Sequence, residues 1–162
     1  MTGARARPSM RDPVQWLATG FGAGLAPRAP GTAGTLVALL PAWLMLDLAT
    51  GVRIGIVVVL FILGIFICAA SARRLATHDH PSIVFDEIVG YLVTTLVMSG
   101  DPLWLVPAFF LFRLFDIWKP WPIRDLDHRL AGGLGIMLDD VVAGVFAAVS
   151  LEGLRVLLLL SA

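Results

Sequence analysis

The sequence predicts an all-α fold: a small integral membrane helical bundle of about four to five membrane segments, with its polar site at the cytosolic face. Three observations predict it. Hydrophobic residues make up 58% of the 162 residues and charged residues only 15%, against ~45–50% apolar and ~25% charged in ordinary soluble domains. Ile54 to Ala72 is an unbroken run without a charge. The few charges gather at the ends of apolar segments. Composition also excludes other classes. The charge is too sparse for a disordered chain, and a single cysteine builds no disulfide scaffold. Twelve Lys+Arg balance twelve Asp+Glu, which argues against a nucleic-acid partner.

Residues 1–12, with Arg5, Arg7 and Arg11, read as a loose basic tail, and residues 13–162 as one domain. The stretch after the arginines lacks the sustained apolar core of a secretory signal. The first apolar segment, Thr32–Leu48, contains Pro41, which predicts a kink or a re-entrant turn. The second, Ile54–Ala72, would be about 28 Å long as a helix, close to the ~30 Å hydrocarbon core. It is too long for a soluble strand. Ile83–Met98 is apolar apart from Asp86 and Glu87 near its start. Leu103–Phe115 is short and carries Arg113. Ile136–Leu160 starts with Asp139 and Asp140, and its later Glu152 and Arg155 are spaced to pair on one helix face.

The basic residues set the topology. Arg5, Arg7, Arg11 and Arg28 precede the first segment, Arg73 and Arg74 follow the second, and Arg113, Lys119, Arg124 and Arg129 lie between the fourth and fifth. The other two loops hold Arg53 alone and Asp101 alone. Five passes with the amino terminus in the cytosol satisfy the positive-inside rule. The same topology brings Pro30-Gly31-Thr32, Asp86-Glu87, Asp116 and Asp139-Asp140 to one face at one depth. Acids embedded near membrane helices are costly and point to function.

Each cluster has a chemical and a structural reading. Acids suit the first turn of a helix, near its positive dipole end. Two adjacent pairs plus Asp116 on one side favour a divalent-metal site of hard oxygens, which suits Mg²⁺. Pro30-Gly31-Thr32-Ala33-Gly34-Thr35 opens a helix whose free N–H groups can hold a phosphate oxygen, with Thr32 or Thr35 as cap. It also reads as an ordinary turn and cap. Arg113 and Lys119 suit an anionic headgroup or an anchor to lipid phosphates. Trp118 and Trp121 suit the membrane interface. Gly132-Gly133-Leu134-Gly135 reads as a flexible or close-packed loop. His78, His80 and His128 lack the partners of a zinc site, and Cys68 reads as core. No Gly-x-Ser-x-Gly motif is present, so metal-assisted chemistry is what the residues permit.

Four blocks in order carry a resemblance. They are Ala29-Pro30-Gly31-Thr32, His78 to Glu87, Phe115 to Ile123, and Gly132 to Gly144. Together they closely resemble phosphatidylglycerophosphatase A of Gram-negative bacteria, over roughly Trp16 to Val149. Phe85, Pro81 and Thr35 depart from the residues common in that family, and no carboxylate is lost. The resemblance implies an all-α, Mg²⁺-dependent lipid phosphatase of the inner membrane that converts phosphatidylglycerophosphate to phosphatidylglycerol. It implies Asp86, Glu87, Asp139 and Asp140 as metal ligands, Asp116 as a further ligand or orienting acid, and Thr32, Arg113 and Lys119 as phosphate-binding residues. The competing expectation is a small cation or proton transporter with an acidic relay. Oligomeric state is left open.

Overall fold

The computed structural model describes residues 7–77, 80–98, 100–125 and 130–161. Helices α1 (Pro13–Ala18), α2 (Pro30–Met45), α3 (Thr50–Arg74), α4 (Phe85–Thr95), α5 (Leu105–Trp118) and α6 (Gly132–Ser161) follow in order, with short 3₁₀ turns at Ala23–Leu25 and Pro102–Trp104. No strand occurs among the described residues. His78, Asp79, His128 and residues 1–6 of the expected basic tail lie outside them.

Helix α4 is the axis of the bundle. Nine of its eleven residues are buried, and α2, α3, α5 and α6 all pack on it. Glycines set the closest crossing. A Cβ on Gly90 of α4 would sit 2.6 Å from the Asp140 carbonyl, and one on Gly144 of α6 would run into the Gly90 carbonyl. The hydroxyl of Thr94 donates at the same crossing, to the carbonyls of Gly90 and Gly144 at 3.3 Å each. Small residues and hydroxyls are what let apolar helices approach this closely.

Helices α3 and α6 are long and apolar enough to cross a membrane, at 25 and 30 residues. Only 22% and 28% of their most apolar stretches are buried, whereas the core helix of a soluble protein would be mostly buried. Helices α2, α5 and α4 fall short, at about 24, 21 and 16 Å. Of the four to five membrane segments that the sequence predicts, α3 and α6 are thus the two with the length and apolar character to cross on their own. Leu36, Leu40 and Leu44 of α2 and Val106, Phe110 and Leu114 of α5 also face outward. The apolar exterior thus continues round the bundle, and α4 is apolar because its neighbours bury it.

Three local expectations change. Helix α2 runs through Pro41 without a break. The 132–135 glycines form the first turn of α6 rather than a loop. Gly133 is needed there because a Cβ would run into the Ile65 carbonyl of α3. Asp139 and Asp140 consequently lie two turns inside α6 and gain nothing from a helix start. Neither Thr32 nor Thr35 caps α2. Ala29, in the left-handed region at φ 48°, turns the chain into Pro30, and Thr35 donates back to the Gly31 carbonyl at 2.8 Å.

The two ends of the bundle differ. At one end Asp12 accepts from the Val14 N–H at 3.0 Å and pairs with Arg74, so the last residue of the expected tail ties α1 to α3. At the other end α4 stops inside the protein. Fully buried Arg53 of α3 donates to the carbonyls of Thr95 and Met98, and Arg155 of α6 donates to the Val97 carbonyl at 3.2 Å. Arg155 also pairs with Glu152 at 3.0 Å, as the sequence spacing predicts. These cations supply the donors that the last carbonyls of a helix lack.

Candidate active site

The acids come together through the α4–α6 crossing. Asp86 stands one helical turn before Gly90, and Asp140 one turn before Gly144. Clamping the two glycines against each other therefore brings the two carboxylates face to face. Glu87 is added from the next position of α4. One oxygen each from Asp86, Glu87 and Asp140 lies within 4.8 Å of the others. The loop before α4 is fixed by its backbone: the Val84 N–H donates to the Ala18 carbonyl at 2.8 Å. Gly34 of α2 leaves room for Val84, 2.6 Å from where a Cβ would be.

These carboxylates line a cavity of about 260 Å³ with Ala29, Pro30 and Gly31 of the α2 entry, Pro81 and Ile83 of the loop before α4, Arg113, Asp116, Ile117 and Lys119 of the α5 end, and Gly135, Ile136 and Asp139 of α6. Thr32 is not on its wall. Gly31 is a required glycine, since a Cβ there would strike Glu87 Oε1 and lie 3.0 Å from Arg113 Nη1.

Two cations sit at the rim, each held by acid. Arg113 pairs with Asp116 on the same helix and lies 3.9 Å from Glu87. Lys119 Nζ donates to Asp139 Oδ2 at 2.7 Å. Lys119 itself adopts the left-handed conformation, φ 44°, as the α5 cap. Asp139 and Asp140 take different partners. Asp140 joins the carboxylate group, while Asp139 turns to Lys119.

Five acids face two cations in the cavity. Burial, and after it the neighbouring Glu87, hold Asp86 well above the usual carboxylate range. Burial pushes Glu87 up to about 7, with a hydrogen bond to Asp86 pulling the other way. Asp86 Oδ1 and Glu87 Oε2 are buried without a hydrogen-bond donor among the described residues. Buried carboxylate oxygens that lack donors and repel one another gain most from a hard divalent cation, and an all-oxygen donor set suits one.

A family model described as phosphatidylglycerophosphatase A matches residues 16–155. The chain belongs to the phosphatidylglycerophosphatase A family. It is 43% identical over 147 residues to phosphatidylglycerophosphatase A of Escherichia coli K12, covering 90% of this chain and 85% of that protein. It is 42% identical to the protein of the same name from Haemophilus influenzae, covering 87% and 88%. A Bacteroides thetaiotaomicron relative, 37% identical over 81% of this chain and 86% of its own length, carries a provisional phosphatidylinositol-3-phosphatase name. No solved structure matches the chain.

Phosphatidylglycerophosphatase A membership accounts for the four motif blocks, but the residues that bring those blocks together stand apart from the acids. Gly31, Gly90 and Gly144 are those residues. One signal for the crossing lies in the sequence: Asp86–Gly90 and Asp140–Gly144 repeat an acid four positions before a glycine. His80 and Ser82, at 2.6 Å from each other, are buried behind Pro81 and do not line the acidic cavity.

Proposed function

We propose that this protein is a divalent-cation-dependent phosphatase that hydrolyses the terminal phosphomonoester of phosphatidylglycerophosphate to phosphatidylglycerol and inorganic phosphate. The observation that carries this reading is the meeting of Asp86, Glu87 and Asp140 in one cavity with Arg113 and Lys119 at its rim, inside a bundle with an apolar exterior. Asp86, Glu87 and Asp140 are the residues that would hold the cation, Mg²⁺ in this reading. When bound, it would neutralise phosphate charge and make a water more acidic.

The chain's own residues do the rest. Arg113, oriented by Asp116 and Glu87, presents its guanidinium to non-bridging phosphate oxygens. Lys119, held by Asp139 of α6, presents a second cation from the cap of α5. Cations fixed before the substrate arrives cost little reorganisation during reaction. Gly31 lets α2 approach so that the Gly31 and Thr32 N–H groups at the helix start add weaker positive potential. Asp139, a metal ligand in the sequence reading, becomes the residue that positions Lys119.

Arg73, Arg74, Arg113, Lys119 and Arg124 all lie toward the site end, which supports reading that end as the cytosolic one of a bacterial inner-membrane protein. Helices α3 and α6 have the length to cross on their own. Helices α2 and α5 present apolar faces to lipid beside them. A transporter would need a polar path beyond the acids, yet buried Val89, Leu92, Phe112, Ala147 and Leu151 fill that part of the bundle.

The test is phosphate release from phosphatidylglycerophosphate in mixed micelles by the purified protein, beside Asp86→Asn. Wild type should release phosphate, and the variant should lose at least about 100-fold in kcat while remaining folded. Equal rates for the two proteins would overturn the site assignment. No release by either, with release from a phosphoinositide instead, would overturn the substrate.

A further inference from the structure

Ile117 stands out in the wall of the acidic cavity as a large apolar side chain that is 70% exposed, where Ile83 and Ile136 are buried. It lies at the end of α5, and the residues at helical spacing behind it are exposed too: Leu114 at 51%, Phe110 at 66% and Val106 at 56%. These positions are three or four apart, so they form one stripe along α5. The stripe starts inside the cavity and runs down the outside of the bundle. Helix α3 has an equally exposed apolar stripe through Val58, Ile62 and Phe66, but none of its residues lines the cavity.

Depth is marked independently. Trp118 and Trp121, 64% and 79% exposed, follow Ile117 directly. Tryptophans so placed sit at headgroup level, so Ile117 lies where the hydrocarbon begins. Arg113, one turn earlier on α5 and so on the same flank of the helix as Ile117, also lines the cavity. Headgroup chemistry at Arg113 thus meets hydrocarbon along one flank of α5, and Ile117 is the residue where they join.

We infer that Ile117 is the lipid-facing lip of the site, and that an acyl chain of the lipid phosphomonoester substrate lies along Ile117, Leu114, Phe110 and Val106. The inference rests on the phosphatase reading and adds the side from which the lipid enters. The phosphate passes over Ile117 to Arg113 and Lys119 while the acyl chain stays in the bilayer. The membrane, rather than a closed protein tunnel, holds the tail. Because the tail contributes binding only through the stripe, changes there act on long-chain substrate more than on short-chain substrate.

The kinetic test compares Ile117→Trp and Leu114→Asn with Val58→Trp as the control on α3. Substrates are dioleoyl phosphatidylglycerophosphate in mixed micelles and its dihexanoyl analogue as a monomer. In the α5 variants kcat/KM should fall at least about fivefold more on the dioleoyl than on the dihexanoyl substrate, chiefly through KM. The Val58 variant should match wild type on both. An equal loss on the two substrates, or α5 variants that match the Val58 variant, would overturn the inference. A second measurement needs no turnover: the dioleoyl lipid with a diazirine in one acyl chain is photolysed with wild-type protein, and its adducts are mapped. Adducts concentrated on α5 support the lane even if the wild type proves to hydrolyse a different phosphomonoester. Adducts spread equally over α3 and α5 overturn it.

Discussion

Asp139 and Asp140 are neighbours with different partners, and that difference separates two kinds of contribution. Asp140 shares the carboxylate group with Asp86 and Glu87, whereas Asp139 holds Lys119 at 2.7 Å. Asp140→Asn should therefore raise the divalent-cation concentration needed for half-maximal activity by at least about tenfold. Asp139→Asn should leave that requirement near wild type and raise KM for the lipid instead, because a released Lys119 no longer faces the phosphate. Cation titrations of both variants at fixed substrate distinguish them. Gly31 makes a prediction of a different kind. A methyl there meets Glu87 and Arg113, so Gly31→Ala should cost at least about tenfold in kcat with little change in thermal stability. At this scale the sequence was legible for the acids, because carboxylates in an apolar chain declare themselves. It was not legible for their division of labour. Which way each side chain of an adjacent pair points depends on the rotation of α6 about its axis, and the Gly90–Gly144 crossing sets that rotation.

The five apolar segments of the sequence all became helices, with ends displaced by a few residues. Segment length was misleading for the third. An apolar stretch reads alike whether it is buried by lipid or by protein, and α4 is buried by protein. The glycines at 132–135 misled as well, since a glycine cluster reads as a loop unless the close approach to α3 is known. The far end of α4 carries a prediction about elements. Arg53 satisfies the carbonyls of Thr95 and Met98 from inside the bundle. Arg53→Met keeps the bulk and leaves both acceptors buried, at roughly 1–3 kcal/mol each. Thermal unfolding in detergent should fall by several degrees, and the cation requirement should stay near wild type, because the acids lie at the opposite end of α4. A lowered activity with unchanged melting would contradict that division.

For the whole molecule, the acidic cavity sets stability against function. Glu87 titrates near 7 in the fold against an ordinary 4.5, and Asp86 is raised as well. The folded protein therefore binds more protons than the unfolded chain across that interval. Stability of the cation-free protein should be higher at about pH 5 than at about pH 7.5. A divalent cation should remove most of that fall, since it favours the ionised carboxylates. Melting curves at the two pH values, with EDTA or with Mg²⁺, check the sign.

The measurement that bears most directly on the account is phosphate release from phosphatidylglycerophosphate as Mg²⁺ is added to EDTA-treated protein, for wild type and for Asp140→Asn. Wild type should be silent without the cation and saturate as it is added. The variant should need far more cation or stay silent, at unchanged melting temperature. Release by wild type in EDTA, or identical titrations for the two proteins, would contradict the claim that Asp86, Glu87 and Asp140 hold a catalytic cation.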